Sequence, residues 1–522
     1  MDHFLSKHAD AVIGTLSGFD RLVFRGTLRM LAHRGGMMSY LSAVGVLLKD
    51  FAGHAEAMTG RLRDASEALA RQTGRPICYL QSSAMNKEDI ARSIARADGI
   101  EQGLICILTA VEPCLSYEIV RDRTNKHLQL QPRHRKCLFL YHYQIHPVFG
   151  FMHARIQTWF PFAVQICLNG REWLARSMDA EGLHYAQRDN CFTWLEHPAR
   201  AQQLMDLQLR SNWPALLDGI ARGLNPQHAA MFRSFPVGYY WTTHQSEWAT
   251  DIMFRDAASL ARLYPKLVRH AMTNLASPDV LRFLGRKVRA NGSIPPALKA
   301  EVVSDMKQRP EGVRVKHRVG TNSVKMYDKQ GSVLRIETTI NDVGGFSTFR
   351  APEGKPGAAR TKQRMRKGIA DLYRRAETSQ ACNNRFLHAL AAVEDSTPLG
   401  ELTARLGQPV KRKGRRGRPI NPYAPGDAAL IDAVSRGDFI INGFRNKDLR
   451  ALLFADADAG KDERRRHAAA VSRRIALLRA HGLVRKVPGT HRYHLSARGR
   501  AIVTALISVR NVGTEALVKL AG

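Results

Sequence analysis

Polar and apolar positions along this chain switch repeatedly between a period of two and a period near 3.6, which predicts strands and helices in alternation. Ile13–Leu28 alternates on either side of Ser17-Gly18-Phe19-Asp20 and predicts a hairpin; helical spacing follows over roughly 38–72. Ile77–Leu80 and Leu104–Thr109 read as buried strands separated by a helix, Asn86–Ala97. Next comes the pattern of an antiparallel meander: Ser116–Val120, His127–Gln131, Cys137–Ile145, Phe151–Phe160 and Ala163–Leu168. Arg171–Met178 turns helical after Asn169-Gly170. A second passage, Tyr239–Phe254 leading into a helix over Ala257–Met272, repeats the earlier order loosely and suggests two related halves. Val313–Ile340 holds two or three short strands, with turns at Gly320-Thr321-Asn322 and Gln330-Gly331-Ser332.

The last third has a different texture. Ala351–Lys362 and Val410–Pro425 are polar and rich in Gly and Pro, as exposed linkers are, and they bracket a helical connector near 363–405. Beyond them the spacing predicts helices over Gly426–Arg436, Asn446–Phe454 and Asp462–His481, with Gly482 placed to end the third. Two short strands, Leu483–Val487 and Tyr493–Ser496, flank a Pro488-Gly489-Thr490 turn, and a last helix starts at Ala497. The expected class is α+β. Its parts are an N-terminal α/β region (1–110), an antiparallel sheet and helix domain (111–350), a basic linker and helical connector (351–410), a basic arm (411–425) and a C-terminal module (426–522).

Composition narrows the partners. The 522 residues are 44% hydrophobic and 24% charged, a globular balance, but 79 Lys+Arg against 46 Asp+Glu give a net charge of +33. Residues 351–522 carry about +19 of that excess. So positive a surface calls for a polyanion, and nucleic acid is the expected partner. No uninterrupted apolar run is long enough for a membrane span, and MDHFLSKHADAVIG lacks the pattern of a secretory signal. Seven scattered cysteines with no C-x-x-C pair argue against a disulfide framework or zinc ribbon and for a reducing, cytoplasmic setting. There is no G-x-x-x-x-G-K-[ST] phosphate loop, no G-x-S-x-G elbow and no H-E-x-x-H.

Leu477–Arg500 (LLRAHGLVRKVPGTHRYHLSARGR), set in three helices, a two-stranded wing and a closing helix, resembles the winged-helix modules of bacterial transcription factors. That resemblance implies DNA contact through Arg464, Arg465, Arg466, Arg473 and Arg474 on the third helix, and through Arg485, Lys486 and Arg492 on the wing. A helix fits the major groove while a basic hairpin reaches phosphates. Just upstream, Arg415, Arg416, Gly417, Arg418 and Pro419 resemble the RGRP core of AT-hook peptides, whose extended arms place Arg in a narrow minor groove.

The remaining candidates concern chemistry. Lys325-Met326-Tyr327-Asp328-Lys329 followed by Leu334-Arg335-Ile336-Glu337 resembles the Y-D/N-K and L-R-x-E elements of phage and plasmid rolling-circle replication initiators. The resemblance implies a palm-like sheet, a divalent metal (Mg or Mn), and nicking of one DNA strand by a tyrosine. Tyr327 would be the nucleophile, with Lys329 beside it and Glu337 orienting the metal or pairing with Lys329. The histidine–hydrophobe–histidine metal motif of many such nickases is absent; His142, His146 and His153 are the nearest set. If their strands pair, they share one polar face with Arg155. Glu247 and Asp251 are further acids suited to a metal or a salt bridge. The function expected is action on DNA, as a mobile-element or plasmid-type replication initiator or strand-transfer nickase. The alternatives are a winged-helix regulator or architectural DNA-binding protein, and an RNA-binding protein. The sequence leaves the oligomeric state open.

Overall fold

The longest apolar alternation in the chain becomes one uninterrupted strand. β1 (Val12–Leu28) is 17 residues long and pairs along its whole length, so the hairpin expected at Ser17–Asp20 does not form. Gly18 serves close packing instead of a turn: a Cβ there would lie 2.2 Å from Cε of Met205, on the helix Pro198–Leu207. The expected irregularity takes another form. Pairing with the neighbouring strand slips between Phe19 and Arg21, which leaves Asp20 as the extra residue of a β-bulge.

The computed structural model describes residues 1–511, apart from 125–126, 287, 289–301, 310–311, 353, 356, 392–398, 413, 437–438, 440–442, 455–459 and 488–489. The chain divides into two compact units. The larger comprises residues 8–264 and 305–386, the smaller residues 1–7, 265–304 and 387–522. This differs from the consecutive domains read from the sequence. The boundary expected at residue 110 falls inside a continuous strand, and the smaller unit gathers three separated stretches.

The other strands are β2 (Ile77–Tyr79), β3 (Gly103–Arg121), β4 (Leu128–His146), β5 (Gly150–Gln157), β6 (Val164–Asn169), β7 (Tyr185–Arg188) and β8 (Cys191–Leu195). They are followed by β9 (Tyr239–Phe254), β10 (Val302–Arg309), β11 (Gly312–Val319), β12 (Asn322–Lys329) and β13 (Val333–Ile340). Eleven of them build one sheet in the order β10-β11-β12-β13-β9-β1-β6-β5-β4-β3-β2, while β7 and β8 form a separate hairpin. From β11 to β3 the pairing is antiparallel, and β2 joins β3 in parallel. The expected meander is present, but β3 and β4 each run 19 residues where shorter strands were predicted. The turns at Gly320 and Gln330-Gly331 fall where the sequence places them, with φ of 58°, 56° and 74°.

Helices cover the sheet. Phe51–Thr73 and Trp213–Leu224 contribute Phe51, Leu62, Trp213 and Leu217 to a core shared with Leu22, Phe24 and Ile166. The connector expected near 363–405 does contain a helix, Leu372–Leu390, which begins as part of the larger unit. Buried Asn383 donates to the carbonyls of Trp248 and Ile336, and Arg375 donates to those of Thr243 and Ile340, so the helix ties β9 to β13. Burying those carbonyls without donors would cost about 1–3 kcal/mol each. The stretch expected as a first linker is partly ordered too: Thr361–Arg364 pairs with Ser347–Arg350.

In the smaller unit helices span Pro425–Ser435, Asn446–Leu453, Lys461–Ala480 and Ala497–Asn511, with a hairpin of Val484–Lys486 and Tyr493–Leu495 before the last. Gly482 ends the third helix at φ 75°. The side chain of Asn446 does not cap its helix; it donates to Ala468 O and Ser472 Oγ on the third helix. Leu430, Leu449, Val471, Ile475, Leu483 and Ile502 form this unit's core. Pro488-Gly489 of the turn expected between these strands lies outside the described residues, as do residues 512–522. Among the described residues no helix is long and apolar enough to cross a membrane.

Candidate functional site: a bulged acidic centre on the sheet

Directly opposite residues of an antiparallel pair share a face, so the register assembles a site from four strands. One row runs Tyr327–Arg335–Asp251–Leu16, the next Lys325–Glu337–Ala249–Gly18, and the third Ser323–Thr339–Glu247–Arg21. Small residues in the middle row leave room on the β9 and β1 side for neighbouring groups: Met205 packs against Gly18, and Arg171 donates to the carbonyl of Ala249. Between the second and third rows sits the bulged Asp20. Ligand oxygens of Asp20, Glu247 and Glu337 all lie within 4.8 Å of one another.

Four acids, Asp20, Glu247, Asp251 and Glu337, meet three bases here, Arg171, Lys325 and Arg335. Asp251 is fully buried and is gripped by Arg335, with Nε 2.6 Å from Oδ1 and NH2 2.9 Å from Oδ2, and by Arg171 at 3.0 Å. Although burial alone raises its pKa, the two guanidiniums outweigh that and hold Asp251 below the ordinary range. Lys325 lies 2.5 Å from Glu337 and 3.5 Å from Glu247. Burial likewise pushes Glu337 up, but Lys325 and Arg335 prevail and its pKa is lowered. Asp20 and Glu247 behave oppositely. Burial, with the negative field of Glu337, holds both above the usual carboxylate range, against the pull of Arg335 on Asp20 and of Lys325 on Glu247. Tyr327 is half-buried beside these groups; burial and then Glu337 raise its phenol, while Lys325 opposes them.

Asn190, at the β7–β8 turn, clamps the bulge. Its Nδ2 donates to both oxygens of Asp20 at 3.0 and 2.8 Å, its Oδ1 accepts from Lys329 at 3.0 Å, and its carbonyl accepts from Arg335 at 2.7 Å. Lys329 therefore does not pair with Glu337 as expected. In the strand register Lys325 stands opposite Glu337, and Lys329 stands opposite Val333. Removing the carboxamide with Asn190→Ala should weaken Mn²⁺ binding about tenfold, the cost of one missing charge-assisted hydrogen bond, with Asn190→Asp further altering its pH dependence. Isothermal titration calorimetry checks this, and an unchanged affinity would show that Asp20 needs no clamp.

The histidine set is not assembled. His153 stands opposite Tyr143 and Cys167, whereas His142 stands opposite Ala154, so the two imidazoles lie on opposite faces. His142 is fully buried and bonds Ser66 Oγ at 3.1 Å; burial lowers its pKa to about 4. Burial, then Arg21, lowers His153 to about 4 as well. Nδ1 of His146 accepts from the amides of Val148 and Phe149, closing the β4–β5 turn. Alternation along each strand was sound; the register between the strands overturned the set.

Three oxygen donors from three strands suit a hard divalent ion such as Mg²⁺ or Mn²⁺, and the proton affinity of Asp20 and Glu247 is raised first by burial and then by the neighbouring Glu337 carboxylate. Asp20, Arg171 and Asn190 were missed in the sequence. Asp20 carried one signal, a lone acid inside a strongly apolar strand, where an unpaired charge is rarely tolerated.

The basic residues of the smaller unit form a second candidate surface. Arg464, Arg465, Arg466 and Arg473 are exposed on Lys461–Ala480, and Arg485 and Lys486 are exposed on the hairpin. Arg474 lies 5.3 Å over Phe454, and Arg492 donates to Gly443 O at 3.3 Å. The arm departs from expectation. Arg415–Gly417 pairs with Val410–Arg412, and Arg418 forks onto Asp427 at 2.6 and 2.8 Å, so this stretch is folded back and not extended. Arg416 and Pro419 are exposed, while Gly417 packs near Val410 and Leu477. The residues that would make an extended groove-binding peptide are thus partly committed to the fold.

No protein-family model matches the chain, and neither a curated protein nor a solved structure matches it.

Proposed function

We propose that the larger unit is a metal-dependent centre that nicks DNA, and that the smaller unit is a winged-helix module that grips it, as in a mobile-element or plasmid-type replication initiator. The observation that carries this reading is the placing of Tyr327 and Lys325 beside the Asp20–Glu247–Glu337 cluster. A divalent ion held by those three carboxylates would polarise a phosphoryl oxygen and make the phosphorus a better electrophile. The chain's own groups do the rest. The Tyr327 oxygen forms a bond to phosphorus, the bond from phosphorus to the 3′ oxygen breaks, and the proton lost by the phenol ends on that 3′ oxygen. The products are a 3′ hydroxyl and a 5′ phosphotyrosine. Lys325, which hydrogen-bonds Tyr327, lowers the cost of the phenolate. Arg335, Arg171 and Asn190 hold Asp251 and Asp20 in place. The test is a covalent adduct between the protein and the 5′ side of a single-stranded DNA, dependent on Mg²⁺ or Mn²⁺ and abolished by a chelator.

A second reading has its own observation. Lys325 and Arg335 already approach all three carboxylates, as a purely structural ion network would. The protein is then a non-enzymatic DNA binder, and it yields footprints without adducts and no response to chelation.

Both readings predict that duplex affinity depends on the exposed arginines. The triple variant Arg473→Ala/Arg485→Ala/Lys486→Ala should flatten the slope of log K against log salt by about 2–3, roughly one for each phosphate that is no longer neutralised. Titrations at several salt concentrations measure it. A slope that does not move would remove this surface from DNA binding.

A further inference from the structure

On the same face of the sheet as the acidic centre lies a cavity of about 520 Å³, lined among others by Arg25, Leu115, His134, Arg155, Gln165 and His244. The strands explain its place. Arg21 and Arg25 alternate onto one side of β1, Arg21 stands opposite Glu247, and Arg25 opposite Gln165, which in turn faces Arg155. The cavity therefore begins about 13 Å along β1 from the metal-ligand row, at roughly 3.3 Å per residue. That is a span which a few nucleotides of an extended strand cover.

Its chemistry is that of a nucleotide site. Arg25, His134 and His244 are exposed around the cavity. Glu112, the acid paired with Arg155, is fully used: it accepts from Arg155 at 2.7 Å and from Tyr141 Oη at 2.6 Å, and it lies 3.2 Å from Lys87. The basic groups around the cavity thus have no carboxylate left to them among its described lining residues, and a phosphate fits there. The guanidinium of Arg155 lies 3.9 Å over the Phe139 ring, a planar cation on which a base can stack. Leu115 is 50% exposed in this polar setting, where a side chain with nothing to cover it gains from contact with a base. The side-chain amide of Gln165, already accepting from Arg155 at 3.3 Å, lies within the lining and offers its NH₂ to a base edge.

We propose that this cavity binds an unpaired nucleotide of single-stranded DNA near the scissile phosphate, its phosphate on Arg25 and His244 and its base against Arg155 and Leu115. This assignment rests on the nicking reading for the identity of the polymer, but the cavity makes a separate prediction. Single-stranded oligothymidylate carrying 5-iododeoxyuridine at successive positions is photocrosslinked to the full-length protein in Mn²⁺, and the adducts are mapped by peptide mass spectrometry. Cross-links should fall within residues 113–115, 134–139 or 155–165, and should persist in Tyr327→Phe. In the double variant Arg25→Ala/His244→Ala, which changes only exposed side chains, single-strand affinity should drop about tenfold while Mn²⁺ affinity stays unchanged. Bound strand with no cross-link in these segments, or an unaltered affinity in the double variant, overturns the proposal even where nicking is observed. Cross-links in these segments without any nicking support the cavity and remove the nicking reading. Stronger cross-linking by the matching 5-iodouridine RNA overturns the assignment to DNA.

Discussion

Tyr327→Phe is expected to abolish adduct formation, lowering the nicking rate by about 10³-fold or more, while Mn²⁺ affinity and melting temperature change little. Only the phenolic oxygen is removed, and no carboxylate of the cluster depends on it. The wild-type rate should also climb steeply with pH. Burial and the field of Glu337 hold the phenol above its ordinary value of 10.0, so at neutral pH only a small fraction is ionised. That fraction grows about tenfold per pH unit below the pKa. Lys325→Met, which withdraws the opposing cation, should slow nicking further and move the rise to higher pH. Denaturing gels of 5′-labelled and 3′-labelled single strands, run over pH 6–9, separate these outcomes. Adduct formed by the phenylalanine variant at the wild-type rate would remove Tyr327 as the nucleophile.

The second large effect concerns Glu247. Its folded-state pKa is raised from the ordinary 4.5, so the folded chain binds its proton more tightly than the unfolded chain does. The stability this contributes is present below pH 4.5 and is lost as pH rises through the folded value. Asp20 adds a loss of the same sign, starting from 3.8. At neutral pH these two carboxylates, unlike Asp251 and Glu337, therefore cost the metal-free fold free energy, and a divalent ion would relieve that cost by taking the place of the protons. Two consequences follow. Stabilisation by Mn²⁺ should grow from pH 5 to 8, reaching about 2.7 kcal/mol when the ion is a hundredfold above Kd. Glu247→Gln should lose that response and yet melt higher than the wild type without metal, a group kept for chemistry at the expense of stability. Calorimetric melts with and without Mn²⁺ across this pH range test both. A variant that keeps the metal response would move the ion elsewhere, and one that melts lower would reassign Glu247 to the ion network with Lys325.

Much of the local structure was legible in the residues themselves. Gly320 and Gly331 announce the turns that separate β11, β12 and β13, because backbone at positive φ favours glycine there. The helices of the smaller unit lie within a residue or two of their predicted bounds, since the spacing of Leu430, Leu449, Val471 and Ile475 is a local property. Tyr327 and Glu337 stood out by motif, and the register does put both on one face. The uneven positive charge, and the expectation of a polyanion that rests on it, are likewise composition, readable without any fold.

What only the tertiary structure decided is which of these groups meet. Asp20 is separated from Glu247 by more than two hundred residues, and it reaches the cluster because β1 carries one extra residue against β9. Glu337 pairs with Lys325 and not Lys329, and His142 and His153 turn their rings to opposite faces, for the same reason. Side chains in a strand alternate with a period of two, so a shift of one residue in pairing exchanges every neighbour across the strands. Local spacing sets the alternation within a strand; the pairing between strands is set by packing over the whole sheet, and that information is not contained in any single segment.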